Sequence, residues 1–66
     1  MTYLIRLDDG IGVDHFYSPK TARLTGAQHG WSPERRDALH FDSEETASLF
    51  AEKRLGQMPY QVVKNG

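Results

Sequence analysis

Residues 42–56 carry both ends of a helix in their side chains. Asp42-Ser43-Glu44-Glu45 offers an N-cap oxygen with an acid three positions on, which satisfies amide N–H groups that a first turn leaves without partners. Lys53 and Arg54 bring positive charge to the last turn, and Gly56 can take the left-handed conformation that closes a helix. Ala47, Phe50, Ala51 and Leu55 recur at helical spacing and share one side, while Leu49 falls on the other. The first set must be buried against a sheet, the alanines permitting close approach and Phe50 supplying most of the apolar area.

The remaining chain supplies that sheet. Tyr3-Leu4-Ile5-Arg6-Leu7 is aromatic and branched, too short for a helix, and closed by Asp8-Asp9-Gly10, which predicts a hairpin into a second strand over residues 13–17. Asp9-Gly10 suits a type I′ turn, and Gly12 can add a bulge. Strand alternation puts Tyr3, Ile5 and Leu7 toward the helix and leaves Thr2, Leu4 and Arg6 uncovered. Ser18-Pro19 ends the second strand, because proline has no N–H for a ladder bond. Residues 20–30 show no period of 2 or 3.6, so they are expected to be a long loop, where specificity concentrates. Ser32-Pro33-Glu34 has the signature of a short helical turn, residues 38–41 predict a third strand, and residues 60–64 a last one. The fold class expected is α+β: one domain spanning 1–66, with a small, mostly antiparallel sheet of three or four strands and one helix on one face. If the third and last strands are parallel neighbours, their crossover should be right-handed.

A chain of 66 residues without cysteine has neither disulfides nor a thiolate zinc site to hold it together, so packing must do so. That favours a reducing, cytoplasmic setting. The start lacks the basic and apolar segments of a signal peptide, and no stretch approaches the ~20 apolar residues of a membrane span. A net charge of −1 argues against strong non-specific nucleic-acid binding and against a heavily acidic DNA mimic.

Catalytic chemistry has no visible foothold. His15, His29 and His40 are far apart and none stands in an i, i+4 pair with a second ligand, so no metal or cofactor site is expected. Asp14 and His15 diverge as strand neighbours, and Asp42, although two residues from His40, is better used as a helix cap. Ser18, Ser32 and Ser43 stand in turn or cap contexts, and Glu44 and Glu45 are accounted for by the helix N-terminus. Gly10, Gly12, Gly26 and Gly30 form no phosphate-binding pattern. A non-enzymatic binding protein is the expectation. Lys20, Arg23, His29, Arg35 and Arg36 make the middle of the chain basic, flanked by Tyr17 and Trp31. Leu49, joined by Met58, offers a second, apolar contact. The partner expected is a host protein or protein complex. The alternative is a small nucleic-acid-binding module using Lys20, Arg23, Arg35, Arg36 and Trp31, and pairing of an edge strand would make a homodimer of the monomer.

The run Trp31-Ser32, Ala38-Leu39-His40-Phe41-Asp42-Ser43, then Glu45, Ala47 and Phe50, after a start of Tyr3-Leu4-Ile5-Arg6, resembles very short accessory proteins of bacteriophages and prophages. In layout it is also similar to a small phage-encoded inhibitor of bacterial RNA polymerase, which lacks the long middle connection. The matching positions are packing and capping residues. The resemblance implies a mobile-element protein, anti-CRISPR-like, that blocks or modulates a complex in the cytoplasm of a bacterial host.

Overall fold

The computed structural model describes residues 1–8, 14–27 and 29–65. Within them, strands β1 (Thr2–Leu7), β2 (His15–Tyr17), β3 (Trp31–Ser32) and β4 (Tyr60–Asn65) form one antiparallel sheet in the order β3-β2-β1-β4. Helix α1 (Pro19–Thr25) joins β2 to β3; a 3₁₀ turn (Arg35–Asp37) and helix α2 (Glu44–Arg54) lie between β3 and β4. This is the α+β class predicted, with α2 on one face of an antiparallel sheet. β3 and β4 occupy opposite edges, so the parallel crossover does not arise. The Asp9-Gly10 turn, the Gly12 bulge and the start of the second strand at Val13 lie outside the described residues.

Two local expectations change. Residues 20–30 are not a continuous loop, because α1 begins at Pro19 with Ser18 as its N-cap. Residues 38–41 do not form the third strand, which is instead the two-residue β3. β2 stops at Tyr17, leaving the first half of β1 without a strand on that side. The extended segment after the 3₁₀ turn fills this gap: Leu39 N–H donates to the Tyr17 carbonyl at 2.9 Å, and Phe41 and Tyr3 exchange two backbone hydrogen bonds of 2.9 Å. Phe41 thus stands in place of a strand.

Pairing Ile5↔Val62, Tyr17↔Trp31 and Tyr3↔Phe41 puts these side chains on one face of the sheet. There Ile5, Tyr17 and Phe41 pack with Ala47, Ala51 and Leu55 of the α2 segment, as the helical spacing requires. Phe50 is half-buried among aromatic rings, its centroid 5.4 Å from Tyr17 and 5.2 Å from Phe41. Ser43, not Asp42, caps α2, because its backbone stays extended beyond the Phe41 pairing and its Oγ accepts from Thr46 N–H at 3.1 Å. Met58 packs against the core and leaves Leu49 exposed without it.

The opposite face is not uncovered as expected, since Leu4 is 0% and Phe16 2% exposed. Arg35 of the 3₁₀ turn reaches across it, its guanidinium 4.9 Å from the Phe16 ring centroid. Directly opposite Phe16 in the register, Arg6 binds Gln61 Oε1 at 2.6 Å and Asp14 at 3.6 Å, tying β1 to β4 and to the residue that precedes β2.

Candidate functional site

Helix α1 is short and has no apolar period, so local capping and one close backbone approach hold it in place. Ser18, fully buried, is the centre of that arrangement. Its Oγ accepts from Thr21 N–H at 3.2 Å and from Thr21 Oγ1 at 3.0 Å, and donates to the Asp37 carbonyl at 2.8 Å. The one donor and both acceptor positions of the hydroxyl are therefore filled. Gly26 closes the helix with φ 73°, its N–H on the Ala22 carbonyl at 2.9 Å. Gly30 then passes so close under α1 that a Cβ there would stand 2.2 Å from the Ala22 nitrogen and 2.3 Å from the Ser18 carbonyl oxygen. The Gly30 carbonyl accepts the Ser18 N–H at 2.9 Å, which fixes the helix against the strand that follows.

So placed, α1 buries none of its own residues. Lys20, Arg23 and Leu24 stand at i, i+3 and i+4 and share its outer side. All three are exposed, Leu24 to 78%. Lys20 Nζ lies 3.7 Å from Asp37 Oδ1, while Arg23 makes no ion pair among the described residues. Beside them α1 and the 3₁₀ turn enclose an open cleft of about 360 Å³, lined by Pro19, Lys20, Arg23, Asp37, Ala38 and Leu39.

The seven residues singled out from the sequence do not form one surface. Lys20 and Arg23 come together on α1. Arg36, exposed on the 3₁₀ turn, belongs to the same end of the molecule through the Ser18–Asp37 hydrogen bond. Arg35 is directed onto Phe16, on the face of the sheet opposite Trp31. Trp31 is half-buried, meets Tyr17 edge-on at 5.7 Å and packs against the core; the His29 ring lies 6.5 Å from the same tyrosine. Leu49, 52% exposed, stands apart on the outer side of α2.

Leu24 was not singled out, because a lone leucine among Thr, Ala, Arg and Thr gives no periodic signal. The clue available was Ser18-Pro19, the same serine cap and first-turn proline recognised at Ser32-Pro33. That second pair starts no helix directly: Ser32 lies in β3, and the 3₁₀ turn begins two residues after Pro33.

Among the described residues no group of three or more His, Asp or Glu side chains converges on a point where a metal could sit. His40 links the 3₁₀ turn to β1, its Nε2 3.1 Å from the Arg35 carbonyl and its Nδ1 3.4 Å from the side chain of Thr2 at Oγ1. No helix among the described residues is long and apolar enough to cross a membrane. Set against protein-family models, curated proteins and solved structures, the chain matches none of them.

Proposed function

We propose that this chain is a non-enzymatic binding protein that engages a protein complex of its host through the outer side of α1. The observation that carries the reading is that a helix fixed at both ends and underneath spends none of its own side chains on the core. It turns Lys20, Arg23 and a 78%-exposed Leu24 outward together. An isolated exposed leucine is ordinary, but one beside an arginine and a lysine on a helix held at both ends offers a partner an apolar side chain and two cations on a single surface. A phage or prophage origin, and an anti-CRISPR-like role in a bacterial cytoplasm, are supported by the resemblance of the Trp31 to Phe50 packing pattern. The nucleic-acid alternative is less favoured, since Trp31 packs against the core and Arg35 lies over Phe16 on the opposite face of the sheet, so the two do not share one surface.

The test is affinity capture from bacterial lysate with the tagged chain and with the double variant Arg23→Glu/Leu24→Asp, both verified as folded by circular dichroism. Proteins retained by the wild type and released by the variant support the reading. An identical set from both, or nothing retained by the folded wild type, sinks it.

A further inference from the structure

The cleft beside α1 has a composition that selects among partners. Its lining is apolar at Pro19, Ala38 and Leu39, which we call its floor, cationic at Lys20 and Arg23, and acidic at Asp37. The floor is held in place: Leu39 N–H is bound to the Tyr17 carbonyl, Ala38 N–H to the Arg35 carbonyl, and the Asp37 carbonyl to Ser18 Oγ. A site already in its binding conformation loses little ordering entropy when it is filled. At about 360 Å³ and open to solvent, it suits one or two side chains of a larger partner rather than an enclosed small molecule.

We propose that this cleft receives an acidic, leucine-type segment of the protein partner, a carboxylate pairing with Arg23 and Lys20 while the adjoining apolar side chain lies on Pro19, Ala38 and Leu39. The inference rests on the reading of α1 as the contact surface and names the chemistry that surface recognises. Charge complementarity is the argument. The Arg23 guanidinium has no acid opposite it among the described residues, and its planar fork suits a carboxylate in two-point contact. Lys20 is held only by Asp37, at 3.7 Å and with 65% of the lysine side chain exposed, so an incoming carboxylate can replace that acid. Asp37 therefore acts as an internal competitor for the site. The apolar floor separates such a segment from a phosphate backbone, which brings anions but no aliphatic side chain.

The experiment is fluorescence anisotropy with a labelled peptide of alternating glutamate and leucine, run beside a glutamine–leucine peptide, a glutamate-only peptide and a single-stranded oligonucleotide of equal charge. Expected is binding of the glutamate–leucine peptide, with both control peptides weaker by about tenfold or more. Arg23→Glu should remove binding and Leu49→Asp should not. Asp37→Asn, which keeps the backbone carbonyl that Ser18 uses, should tighten binding roughly two- to fivefold by freeing Lys20. A gain of affinity is a result that misfolding cannot imitate. Equal binding of the glutamine peptide, tighter binding of the oligonucleotide, or an Asp37→Asn variant no better than wild type overturns the cleft assignment. Capture lost with Arg23→Glu/Leu24→Asp but unchanged with Asp37→Asn and Ala38→Glu also overturns it, and leaves α1 standing as the contact surface. Capture indifferent to all of these variants overturns both.

Discussion

The hydroxyl of Ser18, a fully buried residue, donates to the backbone carbonyl of Asp37 across nineteen residues of sequence, at 2.8 Å. The same oxygen caps α1, so a single side chain positions the helix and ties it to the 3₁₀ turn that forms the other wall of the cleft. Ser18→Ala removes the cap and leaves the Asp37 carbonyl without this donor. The expected loss is about 2 kcal/mol, the upper part of the range for an N-cap plus a buried hydrogen bond. In a domain of this size that lowers the thermal midpoint by roughly 8–16 °C. A calorimetric scan checks it, and a shift of only a degree or two means the hydroxyl holds nothing together.

Gly30 is required for room. Its hydrogen stands where a methyl carbon would meet the Ala22 nitrogen at 2.2 Å and the Ser18 oxygen at 2.3 Å, both backbone atoms with no rotamer to yield. Gly30→Ala should cost about 3 kcal/mol or more and displace α1 before it disturbs α2. Gly26→Ala meets no neighbour, so only its φ of 73° matters and about 1 kcal/mol is expected. Urea titrations of both variants give the ratio, and amide chemical shifts of residues 19–25 show whether the larger loss starts at α1.

What the sequence made legible was the structure that buries apolar groups at a fixed period. Ala47, Ala51 and Leu55 in the α2 segment and Ile5 in β1 fall where spacing puts them. Alternation assigns Leu4 to the face away from the helix, but it shows which side a residue takes, not whether another segment returns to cover it. On that face Arg35 lies over Phe16, a role that depends on where the chain goes after β3. Helix α1 is not legible in the sequence for the reason that makes it a candidate site: with no side chain in the core it has no apolar period. Residues 38–41 look like a strand, but the backbone bonds of Leu39 and Phe41 go to Tyr17 and Tyr3 on two different strands.

Arg35 and Arg36 are adjacent and equivalent in the sequence, yet only one is built into the fold. Both are exposed, but Arg35 stacks on the buried Phe16 ring at 4.9 Å and reaches Asn65 Oδ1 at 3.4 Å, while Arg36 makes no ion pair among the described residues. Arg35→Ala should therefore lower stability by about 1 kcal/mol, from the lost cation–ring contact and from the stem that covers the face. Arg36→Ala should stay within about 0.5 kcal/mol of wild type. Urea midpoints at matched salt decide between them, and equal midpoints would show that the Arg35 stack contributes nothing.

Phe50 joins the two halves of the aromatic row on the α2 face. Trp31 meets Tyr17, Tyr17 meets Phe50, and Phe50 meets Phe41, at centroid distances of 5.7, 5.4 and 5.2 Å. Arg54 lies over the same ring at 5.6 Å, shielding its outer side. Removing the ring opens a gap that the small Ala47 and Ala51 beside it cannot fill, so Phe50→Ala should cost on the order of 3 kcal/mol, against about 1 kcal/mol for Phe50→Leu. Because Tyr17 passes the disturbance on to Trp31, the tryptophan emission of the folded Phe50→Ala protein should shift toward the red, although residue 50 does not touch the indole in this row of contacts. An unshifted emission maximum with an unchanged midpoint would mean that the rings are neighbours without being mechanically coupled.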